Sequence, residues 1–148
     1  MKLSTRARYS VRMMMAIAKL SSGDRPVALG DAAGHCGLSR RYLDQLIPPL
    51  RSASLVIGRM GRSGGYVLGR DPEDIRLKDI IEAAIGPISI TECVLDTVDC
   101  LHRDFCSCRG LWALINRRIC RDLEEFTLAD LLDEGWPQRV AEEFAKLE

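Results

Sequence analysis

Residues 29–47, LGDAAGHCGLSRRYLDQLI, constrain what this chain can fold into more than any other stretch. Ala32 and Ala33 are small enough to let one short helix lie close on the next. Gly37 follows Ala33 by four residues, where a tight interhelical turn needs positive φ, which costs glycine little. Cys36, Leu38, Leu43 and Leu46 fall on the face that two such helices would share. Ser39 is placed to cap the second helix, leaving Arg40 and Arg41 on its first turn. The stretch is predicted to form a helix–turn–helix, with Pro48 and Pro49 ending or kinking the second helix.

The flanks extend this into a recognisable architecture. Residues 4–21 open with Ser4 and Thr5 as cap candidates and carry Val11, Met14, Met15 and Ala18 at helical spacing. That methionine stripe reads as core packing rather than as a ligand set. SGDRP breaks the helix, and VAL after it can form a short strand. Residues 54–70, SLVIGRMGRSGGYVLGR, hold two β-prone runs, Leu55–Ile57 and Tyr66–Leu68, around a tip rich in Gly and Arg. That pattern predicts a hairpin with a basic turn, and a helix–turn–helix followed by a hairpin is a winged helix. A further helix should carry Leu77, Ile80, Ile81 and Ala84 on one face, stopped by Pro87.

A longer helix is predicted from about 108 to 126, with Leu111, Trp112, Ile115, Ile119, Leu123 and Phe126 in one stripe. Little chain remains to cover that stripe, so a second copy of itself, in a twofold homodimer, is the economical partner. Folding back onto the N-terminal part is the alternative. Thr127 can cap a last short helix, and WPQRVAEEFAKLE follows as a helix or tail. The expected fold is mainly α with a small β-hairpin. A winged helix-turn-helix DNA-binding domain spans 1–86; the cysteine segment, a long dimerisation helix and a C-terminal helix span 87–148.

Formal net charge is zero, but residues 1–70 hold 12 Lys/Arg against 3 Asp/Glu, and residues 71–148 hold 9 against 18. A basic front half suits a polyanion, here a double-stranded DNA operator. On a second helix of this kind, Ser39, Arg40, Arg41 and Tyr42 would face the major groove. Arginine can pair bidentately with guanine. Arg59 and Arg62 on the wing suit a narrow minor groove, and Arg6, Arg8 and Arg12 could reach phosphates. The N-terminus MKLSTRARYS has no apolar leader core, and no apolar run approaches the roughly 20 residues that span a bilayer. A soluble cytoplasmic protein with no membrane partner is expected.

Four of the six cysteines crowd into CVLDTVDCLHRDFCSC, residues 93–108. In a reducing cytoplasm, and with 47% apolar residues available for a core, structural disulfides are disfavoured. Cys93, Cys100 and Cys106 have the spacing C-x6-C-x5-C. That leaves room for thiolates to converge on an iron–sulfur cluster. It is not the C-x2–4-C pairing that zinc favours, although a zinc-stabilised module stays open until metal analysis. Nor is it the C-x-x-C of a thiol oxidoreductase, and no histidine stands as a general base beside a nucleophile, so an enzyme is not expected.

LSTRARYSVRMMMAIAKL, LSRRYLDQLIPPLRSASLV, GGYVLGRDPEDIRLKDIIEAA and the spaced cysteines ending near LW together resemble the Rrf-type winged-helix regulators. The resemblance runs over nearly the whole chain and weakens after about residue 130. It implies a homodimer built on the long helix, major-groove reading by the second helix of the motif, and a cluster held by three cysteines. Carried onto this sequence, the ligands are Cys93, Cys100 and Cys106, holding a 2Fe–2S or 4Fe–4S cluster. Arg109 and Arg8 stand where members of the family place a histidine or an aspartate as fourth ligand. Cys108 is the local substitute, with His102 and His35 as alternatives. Cys36 and Cys120 read as packing. Asp44 matches an acidic position that, in cluster-sensing members, discriminates between classes of DNA site. Met60 stands where the family usually has arginine before the first wing glycine. The implied function is a homodimeric DNA-binding transcriptional regulator sensing redox, nitric oxide or iron–sulfur status. The alternative is a cluster-free regulator of the same fold, controlled by thiol oxidation or a protein partner.

Overall fold

The computed structural model of the chain describes residues 3–21, 23, 25–95 and 106–146. Helix α1 (Thr5–Leu20) is the post of the winged helix, touching the next three helices, the hairpin and a short helix near residue 130. Ser4 caps it, its hydroxyl accepting from Ala7 N at 3.1 Å. Its buried face is Ala7, Ser10, Met13, Met14, Ala16 and Ile17. Of the expected stripe Val11, Met14, Met15 and Ala18, only Met14 is fully buried, while the other three pack at the core's edge. The run MMMAIA is apolar all round, so its spacing alone left the orientation of the helix open.

Helices α2 (Leu29–Cys36) and α3 (Arg40–Ser52) form the predicted helix–turn–helix. Gly37 turns the corner at φ 66°, and Leu38 N donates to Ala33 O at 3.1 Å across it. Any other residue there but asparagine would be strained. Ser39 caps α3 through Tyr42 N, and Leu43, Leu46, Ile47 and Leu50 seal its inner face. Pro48 and Pro49 do not end this helix: α3 continues through both to Ser52. Each proline gives up a helical N–H bond, but its fixed φ is already helical. Burial of Leu50, worth about 1.5–3 kcal/mol, offsets much of the cost.

A turn through Ser54 (φ 57°) leads into the hairpin of β1 (Val56–Arg59) and β2 (Gly65–Leu68), paired Val56↔Leu68 to Arg59↔Gly65. The first strand starts and ends later than its β-prone run, because Leu55 N closes the end of α3 by donating to Leu50 O at 2.9 Å. Val27 adds a two-bond bridge to Tyr66, the whole of the short strand expected there. Gly65 is obligatory at this crossing, since a Cβ on it would lie 2.2 Å from Val27 O.

Helix α4 (Leu77–Ile85) buries Ile80, Ile81 and Ala84 as expected and ends at Gly86, before Pro87. A short 3₁₀ turn, Glu92–Val94, carries Cys93. Helix α5 (Ser107–Glu125) has no fully buried residue of its own. The chain then returns to the winged helix. Leu77 N donates to Phe126 O at 3.0 Å and Leu128 N to Ile75 O at 2.8 Å. Helix α6 (Leu128–Leu132) thereby drives Leu128, wholly buried, into the core of residues 1–86. Helix α7 (Trp136–Ala145) follows, with Trp136 edge-on to Phe126.

Thr127 and Asp130 hold the start of α6 in a reciprocal cap. Asp130 Oδ2 accepts from Thr127 N and Oγ1, both at 2.8 Å, and Asp130 N donates to Thr127 Oγ1 at 3.1 Å. Arg139 Nη1 approaches Asp130 Oδ1 at 2.9 Å. These donors, the Thr127 backbone N–H first, hold the Asp130 carboxyl below its ordinary value. A depressed carboxyl stabilises the fold above its unfolded pKa and loses that contribution as pH falls through the folded one. Asp130→Asn is therefore expected to lower stability by about 1 kcal/mol in urea unfolding at neutral pH. The gap between variant and parent should close in acid, below the usual carboxylate range.

Candidate nucleic-acid interface and cysteine segment

The outer face of α3 is polar and basic. Ser39, Arg40, Arg41, Asp44 and Gln45 are all exposed along it, while the opposite face is locked into the core. Ser39 acts first as the cap of its own helix. Tyr42 does not stand out with its neighbours. It is half-buried, its ring meeting Tyr9 edge-on at 5.8 Å. Tyr9 in turn lies under the guanidinium groups of Arg8 and Arg12, at 5.8 and 5.6 Å. Tyr42 thus fixes the first turn of α3 against α1 as well as bordering its outer face.

The three α1 arginines divide their work. Arg12 Nη2 donates to Cys36 O at 2.6 Å, closing the last turn of α2, and Cys36 Sγ donates back to Arg12 O at 3.5 Å. Burial pushes the Cys36 thiol up, against the opposing pull of Arg12, so this cysteine is a core filler in a neutral form. Arg6 Nη2 reaches Gln45 O at 3.3 Å, which places it beside the outer face of α3. Arg8 stays exposed. His35 is exposed on the last turn of α2. On the hairpin, Arg59 and Arg62 are exposed on either side of Met60 and Gly61. Exposed cations therefore occur on the first helix, the second helix of the motif and the wing.

The cysteine segment is built at a junction between α4 and α5. Asn116 Oδ1 accepts from Ile90 N and Asn116 Nδ2 donates to Ile88 O, both at 3.0 Å. One helical side chain thus clamps the backbone leading to Cys93. Arg109 Nε donates to Cys93 O at 3.1 Å, bringing the first turn of α5 against the 3₁₀ turn. Cys93 is half-buried, with its Sγ 3.0 Å from Thr91 Oγ1. Cys106 precedes α5 as its N-cap, and both it and Cys108 are exposed. Cys120 packs beside Asn116 and Ile88 O, as expected, and burial followed by the nearby Glu82 pushes its thiol up. Lys78 Nζ to Glu124 Oε2, at 3.4 Å, is a further tie between α4 and α5.

Cys100 and His102 lie outside the described residues. Among the described residues no three His, Cys, Asp or Glu side chains converge as a metal site. The donor chemistry nonetheless fits a thiolate-ligated cluster. Cys93 and Cys106 flank the segment holding Cys100, and Arg109 draws the elements carrying them together. The N-terminus of α5 has no acid in its first turn, and helix N-termini favour negative charge such as a thiolate-ligated cluster bears. Arg109, which stands where a fourth ligand was sought, instead donates to backbone. Arg109 and Asn116 had no signal in the sequence as structural ties, because both sit among other polar residues of an amphipathic helix. Tyr9 was missed for a similar reason: one aromatic between two arginines matches no pattern.

A family profile, Rrf2, described as iron-dependent transcriptional regulator, matches residues 3–134. The chain is 40% identical over 131 residues to the HTH-type transcriptional regulator CymR of Bacillus subtilis, covering 88% of this chain and 89% of that protein. It is 36% identical over 141 residues to the HTH-type transcriptional regulator IscR of Photobacterium profundum, covering 95% of this chain and 81% of that one. The solved structure of B. subtilis CymR, the global cysteine regulator of that organism, superposes with a TM-score of 0.71 at 39% identity, over 89% of this chain and 96% of that one. The winged helix described above is shared with such a relative along most of both chains, and the chain belongs to the Rrf2 family of DNA-binding transcriptional regulators, which are not enzymes.

Proposed function

We propose that this regulator binds its operator as a homodimer and takes its signal through an iron–sulfur cluster held by Cys93, Cys100 and Cys106, with Cys108 as fourth ligand. The observation that carries the reading is the junction at the base of α5. Arg109 ties the turn bearing Cys93, and Asn116 the backbone leading to it, to the helix that Cys106 precedes. When bound, the group supplies redox chemistry and sensitivity to oxygen or nitric oxide. The protein's own part is mechanical. Ligation across the segment fixes Cys93 relative to Cys106, and the two ties pass that restraint to α5.

The stripe on α5 supports the dimer. Of the predicted stripe, Ile115, Ile119, Leu123 and Phe126 are half-buried, while Leu111 and Trp112 are 51% and 37% exposed in one chain, with Leu114, outside the stripe, at 49%. A second α5 laid across them would remove that apolar surface from water. Two recognition helices would then present Arg40, Arg41 and Asp44 to successive major grooves, at a spacing of about 34–36 Å or a multiple. Asp44 can accept from cytosine and repels phosphate, so it narrows the sites tolerated. A division into a reading unit, 1–86, and a sensing and pairing unit, 87–148, describes the work of the chain, although α6 is sewn back into the first unit.

The cluster-free reading has one observation in its favour. Cys106 and Cys108 are both exposed at a helix N-terminus, where thiols can react with oxidants without any metal. Strictly anaerobic protein separates the two readings. Iron and acid-labile sulfide should copurify, with visible absorbance that Cys93→Ala and Cys106→Ala abolish. Colourless, iron-free anaerobic protein that binds DNA with unchanged strength overturns the cluster reading and leaves the thiol reading.

Trp112→Glu should convert the dimer to a monomer in sedimentation equilibrium and weaken operator binding by about 10²–10⁴, the avidity lost with the second reading head. A dimer that survives this change overturns the α5 interface. Arg41→Ala should cost about 1–3 kcal/mol of operator affinity and relax base preference at one position in each half-site. Equal affinity for all sequences before and after the change overturns base reading by this residue.

A further inference from the structure

We infer that Met60 is an apolar wedge which the wing presses into the minor groove, so that the operator is chosen partly by how easily the duplex deforms there. The inference rests on the reading that this protein binds duplex DNA through α3 and the wing. Met60 is 102% exposed, the most exposed large apolar side chain among the described residues. It sits at the start of the tip joining β1 to β2, one residue after Arg59 and two before Arg62, both exposed.

The hairpin holds this side chain clear of the fold. Arg59 pairs with Gly65 at the last rung of the hairpin. Gly64 N donates to Gly61 O at 3.0 Å, and Gly61 takes φ 124°. A Cβ at Gly64 would lie 2.7 Å from Arg59 O, and one at Gly65 would meet Val27 O, so the returning strand crosses too closely for side chains. An exposed methionine on such a support gains nothing from the fold and is available to a partner.

Charge identifies the partner. A cation on each side of Met60 draws the tip toward negative potential, which is deepest in narrow minor grooves. Thioether and methylene groups cannot exchange hydrogen bonds with base edges to read a donor–acceptor code. They can slip between or against base steps, expel water and kink the duplex, as apolar wedges do. Methionine is suited to this because its unbranched chain adapts to irregular gaps. Selection then falls on the cost of deformation, which is lowest at pyrimidine–purine steps such as TA and CA/TG. Such preference would appear under the wing, outside the bases that α3 contacts.

The test uses the full-length protein and a duplex that the parent enriches from a random-sequence pool, labelled at both ends so that energy transfer reports bending. Met60→Ala should weaken binding about tenfold and straighten the duplex. Met60→Leu should retain both affinity and bend. The slope of affinity against salt should be the same for all three proteins, since no charge is lost. A second enrichment with Met60→Ala should lose the flexible steps at the wing positions. Unchanged affinity and bend in Met60→Ala, or a Met60→Leu variant as weak as it, overturns the wedge. Apolar docking of a protein on the tip would give that first result and is thereby distinguished. Failure of the underlying reading looks different: no duplex is enriched from the pool at all, and both ideas fall together.

Discussion

The backbone pairing of residues 75–77 with 126–128 is the constraint on which the rest of the architecture depends. Leu77 N to Phe126 O and Leu128 N to Ile75 O are only two hydrogen bonds. Each is worth about 0.5–1.5 kcal/mol net. Their larger effect is to place Leu128, wholly buried, in the same core as Met13, Ile17 and Leu50. A leucine lost from such a site costs about 2–5 kcal/mol. The stretch between α4 and α6, which includes α5, thus has its far end nailed into the winged helix. Its near end is fixed by α4, whose Ile80 and Ile81 are equally buried. Helix α5 can shift only by working against those two anchors.

That geometry bears on how a signal could travel. Inside that stretch, three hydrogen bonds join α5 to the chain before it: two from Asn116 to Ile88 and Ile90, and one from the charged Arg109 to Cys93 in the turn. Bonds of these types contribute roughly 0.5–3 kcal/mol each. Coupling between sites in regulatory proteins is usually about 1–3 kcal/mol. No large refolding is needed to reach that range.

The fold was legible where a local rule and the tertiary context agree. Gly37 at φ 66°, the Ser39 cap, the Thr127 cap and the paired β-prone runs each follow from residue chemistry at a fixed offset, and each appears as expected. The prolines do not end α3 because a local rule, the missing N–H, is outweighed by burial of Leu50 beyond them. The buried face of α1 was placed only in part, with Met14 at its centre and Val11, Met15 and Ala18 at its edge, because six consecutive apolar residues carry no phase. Of the candidate site, the exposed arginines and Cys93, Cys106 and Cys108 could be named from spacing and resemblance. The ties could not, because Arg109 and Asn116 act on backbone carbonyls and amides, and a sequence does not state which side chain meets which peptide group.

The contrast between Tyr42 and Met60 shows how burial sorts residues that look alike on paper. Tyr42 lies between arginines and a helix face expected to meet DNA, yet its ring is spent on Tyr9, and through Tyr9 on the cations of Arg8 and Arg12. Besides bordering the outer face of α3, it holds the first turn of that helix in place. Met60 is the more apolar of the two and would be assigned to a core by composition alone, yet it makes none of the core's contacts. A fold that buries Met13 and Met14 completely has no shortage of places for methionine. Exposure at this cationic tip is therefore not forced by a lack of room in the core.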